Sequence, residues 1–354
     1  MTKKNTADGA IKAAFGAANR NRLIEEYFKG ASDGGTVAAD VWRHVYRLLL
    51  WADPTTGLAH CYESDKSQPG KHWYGRSLAF HDWVSTALGS SPAKLADDID
   101  WLFRRATADL AAEVLHKAQR LARAAAAQRD PYEGRQFPKP GEDPELISIV
   151  KDVLGPHLES DPSAETWQLL VQRVRQHITG ENKRKNLVGE GFEDLLTHII
   201  LRTCTAPNMQ VDARRLLHEI PGFNRARRGD KPNKVDVAVI RPGMRTLVTA
   251  KWSVRADREK QFAADYSDYI LSESDRLPFE YVFVTNEFDP ARLVRACEQL
   301  ASNAPMFARV VHISPDAVRA TYGSAAEGSM ESVLKYIQSG RLISLGEWLG
   351  QLAG

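Results

Sequence analysis

Residues 234–258 read KVDVAVIRPGMRTLVTAKWSVRADR. Two apolar runs flank Pro242-Gly243, a dipeptide suited to a tight turn, so Val235–Arg241 and Thr246–Trp252 are expected to pair as antiparallel strands. Val237, Val239, Leu247, Val248 and Ala250 put apolar side chains on both faces, as in strands buried between helices. Asp236 and Lys251 break that pattern near the strand ends. A four-residue loop over 242–245 sets Asp236 opposite Lys251, whereas a two-residue loop over 242–243 sets it opposite Thr249. Side chains two positions apart share a face, so both registers leave Asp236, Thr249 and Lys251 on one side. A loop of odd length would separate them.

Outward from this hairpin, further strands are expected at 279–286 (FEYVFVTN) and 308–314 (ARVVHIS). Helical spacing lies between the strands, in REKQFAADYSDYILSES and PARLVRACEQLASN. The alternation predicts an α/β (α+β) domain built on a mixed sheet. Upstream, apolar residues recur at helical spacing through NRNRLIEEYFKGA, TVAADVWRHVYRLLLWA, GRSLAFHDWVSTALG and the long AKLADDIDWLFRRATADLAAEVLHKAQRLARAAAA. Between these regions, QRDPYEGRQFPKPGEDPE (128–145) holds four prolines and two glycines with little apolar content, the mark of a linker. The expected organisation is an all-α N-terminal domain over 1–127, a linker over 128–145 and a mixed-sheet domain over 146–354 with its core at about 189–315.

Composition bounds the class. In 354 residues, 43% hydrophobic and 26% charged content are those of a globular chain with ample material for a core. No stretch resembles a transmembrane span, and MTKKNTADGAIKAAFG lacks the apolar core of a signal peptide, so no membrane association is expected. Three widely spaced cysteines point to reduced thiols and a cytoplasmic location. A net charge of +2 excludes a global polycation, yet seven lysines and arginines stand against two acids between 214 and 234. Within that run, Arg225, Arg227, Arg228, Lys231 and Lys234 are candidate contacts to a phosphate backbone, with a solvated loop as the alternative. No Walker-type glycine loop and no Ser or Cys nucleophile constellation stands out.

A carboxylate and an ammonium in buried strands have two readings. One is a salt bridge at the strand ends. The other is a metal site in which Asp236 ligates Mg²⁺ while Lys251 orients or activates water beside a phosphate. A helix-borne acid would strengthen the second. In GEGFEDLLTHIILRT (189–203), Phe192, Leu195, Leu196, Ile199 and Ile200 form an apolar stripe. Glu193 sits beside it at the mouth of the core, Asp194 lies on the polar flank, and Glu190 is the competing acid.

Glu on a helix, then Asp on a strand, then x-x-Lys at the end of the next strand resembles the PD-(D/E)xK nuclease fold. AKWSVRADREKQFAADY (250–266) sharpens the likeness, because a lysine followed four residues later by Arg-x-Asp-Arg is similar to the CCGG-family type II restriction endonucleases. Residue by residue, the resemblance implies Lys251 as the catalytic lysine and Asp236 as a metal ligand. It implies Arg255, Asp257 and Arg258 as readers of G·C pairs, and Asp265 as the acid supplied by the following helix. The chemistry agrees: an arginine fork suits the N7 and O6 acceptors of G, and a carboxylate accepts from N4 of C. The chain departs from the family at Asp265, where Glu is usual, at Thr249, which is not an acid, and at Val235, which replaces a proline.

Together, residues and resemblance imply a Mg²⁺-dependent restriction endonuclease that cuts double-stranded DNA at a palindromic site with a CCGG-like core. Its catalytic set would be Asp236, Lys251, Glu193 and Asp265, with Asp236, Asp265 and Glu193 on the metal and Thr249 as a further backbone contact. A palindromic site implies a homodimer or tetramer. The resemblance also implies a cognate DNA methyltransferase in the host. Two other classes stay open: a structure-specific or nonspecific nuclease of DNA repair, and a non-catalytic DNA-binding protein whose acids only form salt bridges.

Overall fold

Six strands form one mixed sheet in the computed structural model, which describes residues 13–30, 38–62, 65–112, 127–128, 130–132, 134–135, 144–204, 206–225, 233–254, 259–324 and 326–353. They are β1 (Gln210–Leu216), β2 (Lys234–Arg241), β3 (Met244–Lys251), β4 (Phe279–Thr285), β5 (Arg309–His312) and β6 (Leu342–Ser344), neighbours in that order. β1, β2 and β3 pair antiparallel in succession, and β3 through β6 pair in parallel. The change of direction falls at β3, the strand that ends on Lys251.

The hairpin closes with the two-residue loop: Arg241 pairs with Met244 and Val237 with Val248. Gly243 has φ of +75°, a left-handed conformation that tight hairpin turns require and glycine adopts without steric cost. Extending this register by one residue sets Asp236 across from Thr249. β4 and β5 fall within the two further segments expected to be strands. β1 and β6 were not expected, and both lie at sheet edges. An edge strand is paired on one side only, so QVDARRL carries charge where an inner strand carries valine.

Helices cover both faces. Those that pack near the site are α1 (Ala17–Gly30), α2 (Val41–Leu49), α3 (Tyr74–Leu88), α4 (Ala164–Thr203) and α5 (Glu259–Ser272). α5 lies on the face to which Phe279, Tyr281 and Phe283 of β4 point. Its Phe262 meets Phe283 at 5.3 Å between ring centroids, and its Tyr266 and Tyr269 meet Tyr281 at 5.8 and 5.3 Å. Trp252, just past β3, gathers Phe192 of α4, Tyr46 of α2 and Trp51 at 5.6, 6.5 and 6.3 Å. Among the described residues no helix is long and apolar enough to cross a membrane.

The chain divides into two compact units, and not at the proline-rich segment. One unit joins Ala17–Arg105 with Val188–Gly354; the other holds the described residues of 106–187 and those before Ala17. The helices up to Arg105, expected to belong to a separate all-α domain, are thus part of the unit that contains the sheet. Two buried polar contacts help explain why: Tyr46 Oη donates to Asn286 Oδ1 at 2.9 Å, and Arg20 Nε donates to Asp194 Oδ2 at 2.8 Å. Each partner is buried and would lack its mate if the helices stood apart. In the other unit, Trp167 Nε1 donates to Asp161 Oδ1 at 2.9 Å.

Tyr46→Phe removes one of these contacts and leaves Asn286 Oδ1 without that donor. The expected cost is about 1–2 kcal/mol, read as a lower urea midpoint at unchanged slope for the transition of the sheet. An unmoved sheet transition would mean that α2 folds independently of it.

Candidate active site

The ladder between β2 and β3 ends at Val237 and Val248, one pair short of Asp236. From there the Asp236 side chain takes over. Its Oδ2 accepts from the Ala250 N–H at 2.9 Å, from Thr249 Oγ1 at 3.2 Å and from Lys251 Nζ at 2.6 Å. All three donors converge on this one oxygen; Oδ1 accepts none among the described residues.

The other flank of Asp236 is interrupted as well. β1 pairs Ala213 with Val237 and Arg215 with Val235, while Arg214, opposite Asp236, has φ of +55°. A non-glycine residue in this region costs about 1–3 kcal/mol and persists only where its surroundings fix it. Here they do. Arg214 Nη1 donates to Glu193 Oε2 at 3.0 Å and to the Glu190 carbonyl at 3.2 Å, and Nη2 donates to Asp194. Asp194, only 2% exposed, is gripped from its other side by Arg20 of α1. Helical spacing put Asp194 on a polar flank; instead α1 covers that flank and the carboxylate is buried between two arginines.

The two helix acids lie in the field of the strand pair. Glu193 is buried, and its carboxyl is pushed up to about 7, first by burial and then by the negative charge of Asp236, against the pull of Arg214 and Lys251. Asp265 on α5 is also raised, chiefly by burial, with Asp236 adding to the rise. Hydrogen bonds from Gln261 Nε2 at 2.8 Å and Asn233 Nδ2 at 3.3 Å oppose it, as does Lys251. Glu193 on α4 and Asp265 on α5 thus both feel the charges of Asp236 on β2 and Lys251 on β3. Between the competing acids of α4, Glu193 is the one in that field; Glu190, 53% exposed, pairs with Arg20 at 2.7 Å.

Among the described residues no three His, Cys, Asp or Glu side chains form a group that could hold a metal ion. The donor chemistry nevertheless fits Mg²⁺. That ion takes oxygen ligands, needs only one or two protein carboxylates and completes its shell with water and phosphate oxygens. The Oδ1 of Asp236 and a carboxylate from Glu193 or Asp265 would supply such donors.

Arg255, Asp257 and Arg258 lie outside the described residues, as do Arg227, Arg228 and Lys231. Arg225 and Lys234 are described, and both are exposed on the approach to β2. One residue that sequence reasoning passed over is Glu287. It is buried after β4, and its carboxylate accepts from the backbone N–H groups of Val254 at 2.6 Å, Phe288 at 3.0 Å and Asp289 at 2.8 Å. It thereby ties the segment that follows Lys251 to the segment that follows β4.

No protein-family model matches this chain, and comparison with curated proteins finds no match.

A carboxyl that titrates higher folded than unfolded binds its proton on folding, so stability falls as pH rises from the ordinary carboxylate range through about 7. Glu193→Gln is expected to flatten that decline when thermal midpoints are followed from acid to mildly alkaline pH in a chelator. A slope identical to that of the unaltered protein would assign the titration to another group.

Proposed function

We propose that this chain is a Mg²⁺-dependent endonuclease of the PD-(D/E)xK type acting on double-stranded DNA, and specifically a type II restriction endonuclease for a palindromic site with a CCGG-like core. The observation that carries the reading is the meeting of Asp236 and Lys251 on one face where the ladder opens, with Glu193 and Asp265 within their field. A strand aspartate, the lysine at the end of the next strand and a helix acid are the parts that metal-assisted phosphodiester hydrolysis uses.

Asp236, with Glu193 and Asp265, would hold Mg²⁺, which supplies charge for a phosphoryl centre and acidifies a water. Thr249 Oγ1 and the Ala250 N–H fix the Asp236 carboxylate by one oxygen, so the other would be the one to meet a cation. Lys251 is 28% exposed, so its ammonium can reach solvent while remaining beside Asp236. There it donates to the attacking water or to a phosphate oxygen, orienting the one and offsetting charge on the other. Glu287 limits how far the segment after Lys251 can shift relative to β4.

In the fuller form of this reading, Arg255, Asp257 and Arg258 read G·C pairs in the major groove, and Arg225, Arg227, Arg228, Lys231 and Lys234 contact phosphates. Two-fold symmetry of the site calls for a homodimer or tetramer, and a host methyltransferase would protect the same sequence in the cytoplasm. A second reading has its own support: the 2.6 Å ion pair between Lys251 and Asp236 also suits a purely structural bridge in a non-catalytic DNA-binding protein.

Digestion of plasmids of known sequence with Mg²⁺ separates these readings. Discrete fragments ending at one CCGG-type sequence are expected, abolished by chelator. Lys251→Ala and Asp236→Asn should each slow cleavage by at least roughly a hundredfold. A smear would move the activity to nonspecific or repair cleavage. No cutting with Mg²⁺ or Mn²⁺ would leave the structural bridge as the better account.

A further inference from the structure

Among the described residues, Arg214 is the cation that contacts Glu193, a helix acid of the candidate site, without belonging to the expected catalytic set. Its guanidinium makes unlike contacts at its two ends. Nη2 is anchored on Asp194, a buried carboxylate also held by Arg20, so this end is fixed. Nη1 donates to Glu193 Oε2 at 3.0 Å and to the Glu190 carbonyl at 3.2 Å, and Glu193 is less deeply buried than Asp194, its side chain 11% exposed against 2%. The left-handed backbone belongs to the same arrangement: it occurs at the strand position opposite Asp236, where the β1–β2 pairing is interrupted.

We infer that Arg214 competes with the divalent cation for Glu193, holding that carboxylate through Nη1 and giving up the contact, from its fixed anchor on Asp194, when a cation takes the same oxygen. The inference rests on the metal-dependent reading above. Two positive charges on one carboxylate oxygen repel each other, so the Arg214 contact and cation binding at Glu193 oppose one another. Such opposition is reciprocal: whatever Arg214 contributes to holding Glu193, the cation must overcome. Lys251 stands in the same relation to Asp236, but on Oδ2 alone, and leaves Oδ1 open. Arg214 is thus a positioning residue that sets the cation concentration at which the site fills.

The test is the thermal midpoint of the full chain, without DNA, as Mg²⁺, Mn²⁺ or Ca²⁺ is titrated from a chelated start. A cation that binds only the folded chain raises the midpoint. Arg214→Gln should start lower in chelator, having lost its ion pairs, yet reach its half-maximal rise at roughly tenfold less cation. Arg214→Lys, which keeps the charge but has a single ammonium that cannot span Asp194 and Glu193 as the fork does, should fall between the Gln variant and the unaltered protein. Where the Gln variant does not fold, Arg214→Gly, which relieves the left-handed backbone, should show the same shift to lower concentration. A half-rise at equal or higher cation in the Gln or Gly variant overturns the competition. An unaltered protein whose midpoint ignores all three cations overturns the metal-dependent reading itself, and the competition with it.

Discussion

A single carboxylate oxygen, Asp236 Oδ2, completes hydrogen bonding that the backbone of β2 leaves undone along β3. A buried N–H has to find an acceptor. At Ala250 the acceptor is not the carbonyl of the neighbouring strand but the side chain of Asp236. The substitution lets β2 and β3 part at their open end without orphaning a donor, and the same oxygen then draws in Thr249 and Lys251. The polar opening between the largely apolar strands β2 and β3 follows from this arrangement. Asp236 is therefore a structural residue of the hairpin.

A series of charges extends from that point to α1. Arg20 holds Asp194, Arg214 spans Asp194 and Glu193, and Glu193 lies in the field of Asp236, which holds Lys251. Within such a chain a buried member is costly to orphan, because its neighbours are desolvated too. Asp194 and Arg20 show why: both are almost fully buried and neither would be tolerated there alone. The series links α1, α4 and three strands through charge as the aromatic cluster around Trp252 links helices through apolar contact.

What the sequence disclosed follows from the range of the interactions involved. The hairpin was legible because a turn dipeptide and a period of two fix parity within twenty residues, which put Asp236, Thr249 and Lys251 on one side. That Glu193 lies beside the apolar stripe of α4 and is buried was legible from helical spacing. Asp194 was misplaced because its buried partner, Arg20, is supplied from 174 residues upstream, and no local pattern records that. Glu287 was invisible for another reason: its main partners are backbone N–H groups, which every residue but proline carries. The proline-rich stretch looked like a boundary because composition reports stiffness and polarity, whereas the division of the chain is set by which apolar faces meet. The PD-(D/E)xK resemblance rests on a few residues in and after β2 and β3, whereas the mixed sheet of six strands carries the coarser expectation of an α+β fold.

The pairing of α1 and α2 with residues far downstream has a consequence for synthesis on the ribosome. Arg20 emerges 174 residues before Asp194, and Tyr46 emerges 240 residues before Asn286. At a translation rate of 5–20 residues per second, the first gap lasts roughly 10–35 s. Through that interval the early helices carry apolar faces and a cation whose mates do not yet exist. Nascent-chain chaperones have a long opportunity to engage them. Asp236 and Lys251 can pair only once β3 has emerged, so a chain truncated before it lacks that ion pair along with the sheet that holds it.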